Sequence, residues 1–117
     1  MSLSQERCVA CRADAPAVTP EEAAALQPQI PEWRVVERGG VPQLERTFRF
    51  QRYADTIAFV NRVAAAAEEQ GHHPAMLVEW GRVSVRWWTH AIRNLHRNDY
   101  IMAARTDQLF EVMGDRP

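Results

Sequence analysis

Residues 52–89 read RYADTIAFVNRVAAAAEEQGHHPAMLVEWGRVSVRWWT, and a change of period inside this stretch decides the fold. As far as Gln70, apolar residues recur every three or four positions. Tyr53, Ile57, Val60, Ala64 and Ala67 share one face, while Asp55, Arg62 and Glu69 fall a heptad apart on another. That spacing predicts an amphipathic helix of about five turns over 52–70. Gly71 is placed to end it, and Pro74 forbids further helix and biases His73 towards an extended backbone. Beyond Pro74 the period drops to two, with 76–80 and 83–89 alternating around a Gly81-Arg82 turn as a hairpin.

Upstream, alternation at 33–36, a Gly39-Gly40 turn, and 44–50 with Leu44, Phe48 and Phe50 on one face predict another hairpin. Before it, Thr19-Pro20-Glu21-Glu22 has the spacing of a capping box with proline at the first helical position, which starts a short helix over 20–28. Pro28 and Pro31 stop that helix. Downstream, a polar stretch at 90–98 leads into a last helix. Its Ile101, Met102, Leu109, Val112 and Met113 share a face, and Gly114 ends it. The order α-β-β-α-β-β-α predicts an α+β fold, a four-stranded antiparallel sheet with three helices packed on one face. Residues 1–18 lack any period and are expected to be a loose lead-in to a single domain over 19–115.

Composition narrows the function. With 117 residues, 46% hydrophobic and 25% charged, the chain suits one core. A net charge of -1 offers no broad field for nucleic acid or anionic lipid. No run of about 18 uncharged apolar residues is present and the opening residues are polar, so the expectation is a cytoplasmic protein with no membrane span. Cys8 and Cys11 are the only cysteines. They could supply half a zinc site, but no second pair completes it, and they are expected to be surface thiols.

Chemistry concentrates between Glu68 and Asp99. His72 and His73 leave the end of the long helix, and Thr89-His90 lies at the end of the last strand, so the proposed sheet can bring all three histidines to one rim. Imidazole titrates near neutrality, with an unperturbed pKa of about 6.5, and can give or take a proton there. Taken singly, each residue has a blander reading. His72 and His73 could be solvated histidines beyond a helix end, and Glu68 a helix-surface carboxylate. His90 could be a strand-end histidine, and Asp99 the N-cap of the last helix. His96 has no motif partner and is expected to be exposed. Trp33, Trp80, Trp87 and Trp88 are first of all core or interface aromatics. Alternation sends Trp87 and Trp88 to opposite faces, one of which must then meet solvent, a ligand or another subunit.

Together, Glu68, His72-His73-Pro74, Trp80, Thr89-His90 and Asp99 stand at the spacing of the pterin-4a-carbinolamine dehydratases, and the chain resembles that family over about residues 20–113. It departs at Ala91 and Asn94, which stand where the family has a polar residue and often a glycine. The resemblance implies a hydro-lyase that dehydrates 4a-hydroxytetrahydrobiopterin to quinonoid dihydropterin. It implies catalysis by His72, His73, His90 and Asp99, with Glu68, Pro74, Trp80 and Thr89 lining the substrate. It further implies no metal or organic cofactor, a homo-oligomer (dimer or tetramer), and recycling of tetrahydrobiopterin for an aromatic amino acid hydroxylase in phenylalanine hydroxylation. Two rivals stand beside it. One is a protein-binding dimerisation module, since animal relatives serve a hepatocyte transcription factor in that way. The other is a metal site on the three histidines, which the absence of any HExxH spacing disfavours.

Overall fold

The computed structural model describes residues 2–9 and 12–113. Helix α1 (Pro20–Leu26) is capped as its sequence demands, the Thr19 hydroxyl accepting from the Glu22 N–H at 3.1 Å. A 3₁₀ turn at Gln27–Gln29 follows. Strands β1 (Arg34–Arg38) and β2 (Val41–Arg49) form the first hairpin, α2 spans Tyr53–Gln70, and β3 (Ala75–Glu79) and β4 (Arg82–Trp87) form the second. A 3₁₀ turn at His90–Ile92 then precedes α3 (Arg97–Val112). The sheet runs β1-β2-β4-β3, antiparallel throughout, so the two hairpins join through β2 and β4 and leave β1 and β3 as edges. This is the expected α+β order and sheet.

One face of the sheet presents Leu44, Phe48, Val83, Val85 and Trp87, all buried. The helices dock there through aromatic contacts. Phe48 lies 4.8 Å from Phe59 of α2 and 5.0 Å from Phe110 of α3, and the Trp87 indole N–H donates to the Thr106 hydroxyl of α3 at 3.1 Å. Leu26 brings α1 into the same core. The other face is mostly polar, with Thr47 bonded to Ser84 and Arg82 to Glu79, and carries the exposed Leu77 opposite Ser84.

Two expectations change. On α2 the buried stripe is Thr56, Phe59, Val63 and Ala67, which keeps Ala67 of the predicted row and otherwise lies one position before it, and Tyr53 is 51% exposed. Phe59 packs against both Phe48 and Phe50, so the helix is turned to bury this purely apolar ring. The lead-in, expected to be loose, is tied down over residues 2–9. Leu3 is fully buried in a 3₁₀ turn (Leu3–Gln5), Arg105 donates to the carbonyls of Ser4 and Glu6, and Arg97 forms a bidentate pair with Glu6. This strap covers the side of α3 turned away from the sheet, which is why Asn98 through Ala104 and Thr106 are all buried. Lacking a period of its own, the strap draws its order from α3.

Candidate active site

Two helix ends and one strand end build the site. Gly71, in the left-handed conformation at φ +64°, closes α2 and turns the chain so that His72 faces inward and His73 outward. His72 is 6% exposed, lies parallel to the Trp87 indole at 5.7 Å, and reaches the Asp99 carboxylate at 2.6 Å through Nε2. A carboxylate only accepts, so Nε2 carries the proton.

Asp99 is wholly buried and accepts three hydrogen bonds: from His72, from the Thr89 hydroxyl at 2.8 Å, and from the His96 backbone N–H at 2.8 Å. The last of these belongs to the start of α3. His96 is its N-cap, its Nδ1 accepting from the Asn98 N–H at 2.9 Å, and Asp99 stands three residues on. Asp99 thus closes a capping box and anchors His72 together, with the macrodipole of α3 favouring its charge. His96 is 6% exposed, not the exposed residue expected, and it takes the N-cap position that the sequence suggested for Asp99. Beside the carboxylate, burial first, then the charges of Asp99 and Glu22, hold the Tyr100 hydroxyl above the usual tyrosine range and keep it protonated.

His73 and Glu68 form a pair on the surface, with Nε2 to Oε1 at 2.6 Å and both side chains largely exposed. His90 is exposed as well and packs its ring on Trp88 at 4.4 Å. Trp87 and Trp88 therefore divide as alternation predicted, one under His72 in the core and one under His90 at the rim. Pro74 is half-buried where the chain enters β3.

The structure joins most, not all, of the predicted set. The chain His72–Asp99–Thr89 is continuous, His90 follows Thr89 directly, and Glu68 and His73 flank His72. Thr89, expected to line the substrate, is 1% exposed, and its hydroxyl donates to Asp99. Asp99, expected to be a site residue that orients an imidazole, has no exposed surface and accepts from the His72 Nε2–H. Trp80 does not join. It sits 75% exposed at the β3–β4 turn, where Glu79 pairs with Arg82, whereas the rim lies where Ala75 pairs with Arg86. Four residues of strand, at about 3.3 Å each, separate the two ends. Beside Asn94, one of the two residues that depart from the family pattern, Arg93 takes a left-handed conformation at φ 50°, and Asn94 bridges back to Thr89. His96, missed as a functional residue, was signalled by its spacing from Asp99, the N-cap to N3 interval.

Among the described residues no cluster of three or more histidine, cysteine or acidic side chains is disposed to hold a metal ion. Cys11 lies outside the described residues, so the cysteine pair is seen only through Cys8, a half-buried thiol. No helix among the described residues is long and apolar enough to cross a membrane.

Residues 16–109 match the family model for pterin 4 alpha carbinolamine dehydratase. A Gloeobacter violaceus protein provisionally named pterin-4-alpha-carbinolamine dehydratase 1 is 56% identical, covering 97% of this chain and 98% of its own. A Marinobacter nauticus protein with the same provisional activity in its name is 53% identical, covering 93% and 98%. Among solved structures, a transcriptional coactivator/pterin dehydratase from Brucella melitensis superposes with a TM-score of 0.72 over 80% of this chain and 98% of its own, at 23% identity. A pterin dehydratase-like protein described as a RuBisCO assembly factor in the alpha-carboxysome gives 0.57 over 67% and 88%, at 33% identity.

Proposed function

The chain belongs to the pterin 4 alpha carbinolamine dehydratase family, and on that premise we propose that it is a hydro-lyase that dehydrates a 4a-hydroxytetrahydropterin by histidine acid-base catalysis. The observation that carries this reading is the buried chain Thr89–Asp99–His72, with distances of 2.8 and 2.6 Å, lying beneath a rim that exposes His73 and His90.

In this reaction the C4a–O bond breaks, the hydroxyl takes a proton and leaves as water, and a ring nitrogen gives up its proton to yield the quinonoid dihydropterin. His73, exposed at the rim with Glu68 against its Nε2, is suited by position to pass a proton to the leaving hydroxyl. His90, exposed and steadied by Trp88, is suited to take the ring proton. His72 lies buried beneath them, its Nε2–H bonded to Asp99. Each acid or base typically contributes about 10²- to 10⁴-fold. The steps use no metal or organic cofactor. Recycling of tetrahydrobiopterin beside an aromatic amino acid hydroxylase, in the cytoplasm and as a homo-oligomer, is the setting that family membership favours.

A second reading, a protein-binding module without essential catalysis, draws on the exposed Val35, Leu77 and Trp80 and on the assembly and coactivator roles named for the two structural relatives. The two readings separate in one assay. Stopped-flow ultraviolet absorbance of 4a-hydroxytetrahydropterin, generated in situ, follows dehydration with wild type, His73→Ala and His90→Ala. Acceleration by wild type, with a loss of at least about tenfold in each variant, is expected. An unchanged uncatalysed rate with wild type would remove the enzyme reading and leave the binding module.

A further inference from the structure

The strap ends where the chemistry begins. Running against the direction of α3, it passes from Ser4 and Glu6, held by Arg105 and Arg97, to Cys8 and Val9 at the helix start. There the Asn98 side chain grips Val9 at two points, its Oδ1 accepting from the Val9 N–H at 3.0 Å and its Nδ2 donating to the Val9 carbonyl at 2.8 Å. The Cys8 N–H donates to Gln70 Oε1 at 2.9 Å. Asn98 immediately precedes Asp99, and Gln70, the last residue of α2, stands two before His72. The same two strap residues therefore span the ends of the two helices that carry the two halves of the His72–Asp99 pair. Leu3 and the Glu6–Arg97 pair, in which hydrogen bonds from Arg97 hold the Glu6 carboxyl below its ordinary range, anchor the strap further along. The family match begins at residue 16, so the strap stands ahead of it.

We propose that Asn98 and Gln70 are positioning residues that act through the Cys8–Val9 segment, clamping the end of α2 to the start of α3 and thereby fixing the His72–Asp99 hydrogen bond. This rests on the dehydratase reading for its kinetic consequence, but not for its structural one. Neither residue touches the substrate; they act on where the imidazole sits. A displacement of about 1 Å at a catalytic group can cost on the order of 10²-fold in rate. Loosening the clamp is therefore expected to lower kcat while leaving KM near its wild-type value.

The test uses the full chain with Gln70→Ala, Gln70→Glu and Asn98→Ala. Gln70→Ala removes the acceptor for the Cys8 N–H while keeping a strong helix former at that position; Gln70→Glu keeps an acceptor oxygen there. Two readouts are taken, kcat against KM for the dehydration and the downfield proton-NMR resonance of the buried His72 Nε2–H. A purely structural role would leave that resonance where it is. The expected result is a kcat roughly 10- to 100-fold lower in Gln70→Ala and Asn98→Ala, with the resonance shifted or broadened, and restoration of both in Gln70→Glu. If Asn98→Ala does not fold, the Gln70 pair decides alone. A wild-type resonance and kcat in folded Gln70→Ala would overturn the proposal, even with a lowered melting temperature. If wild type has no dehydratase activity but the resonance follows the substitutions, the clamp stands and the reaction assigned to it falls.

Discussion

At the scale of single residues, the carboxylates divide by what surrounds them. Asp99 is buried and accepts from three donors, whereas Asp107 meets a different balance of burial and partners. The Asp107 Oδ1 accepts from the Trp33 indole at 2.8 Å and from Arg46 at 2.6 Å, yet burial outweighs both partners and raises its pKa above the ordinary aspartate value of 3.8. The folded protein therefore binds this proton more tightly than the unfolded chain does. Its contribution to stability is fully present below about pH 3.8 and is lost as pH rises through the raised value. Asp107→Asn removes that dependence. The melting temperature of the variant relative to wild type is expected to increase as pH is raised through the window above 3.8 and then level off. A difference that stays flat across the window would show that Asp107 ionises as freely in the fold as outside it. The same scale shows why the site was only partly legible. Residue type and spacing marked His72, His73, His90 and Asp99, because each has a chemical reason to be there. Burial and partners are what spacing could not give, since no spacing rule distinguishes a buried carboxylate from an exposed one.

Elements obey their end signals more strictly than their faces. Thr19, Gly71 and the Gly39-Gly40 turn do what local chemistry requires, since a cap or a left-handed turn is settled within a few residues. The buried face of α2 is settled by distant partners, and the seat that Phe48 and Phe50 offer Phe59 could not be judged from period alone. Gly71 tests the local kind of control. A Cβ there would meet nothing within 4 Å, so Gly71→Ala carries only the backbone cost of the left-handed conformation, roughly 1–2 kcal/mol. Denaturant unfolding should show that loss. A cost below a few tenths of a kcal/mol would mean that the exit from α2 is held by the clamp on Gln70 and not by the glycine.

For the whole molecule, the unfinished part is the outer boundary of the sheet. Both edge strands are open: β1 carries Val35, 51% exposed, and β3 carries Leu77, 59% exposed, with Trp80 at 75% beyond it. Scattered apolar side chains on a surface need no explanation. A row of unpaired backbone N–H and C=O groups beside exposed apolar residues does, because such an edge is a template for pairing with another chain. In β3 Lys and Pro, two of the devices that blunt such an edge, are both missing, since its sequence is Ala-Met-Leu-Val-Glu. A second copy of the chain is the occupant that would satisfy both the backbone and Leu77 at once, in line with the homo-oligomer that the family resemblance implies. Sedimentation equilibrium should then give a small multiple of 13.4 kDa, and Leu77→Glu should shift the distribution towards the single chain. A wild-type mass of one chain at micromolar concentration would reject the oligomer. The open edges would then be tolerated by a lone domain whose site, assembled wholly from its own helix ends and strand end, needs no partner to be complete.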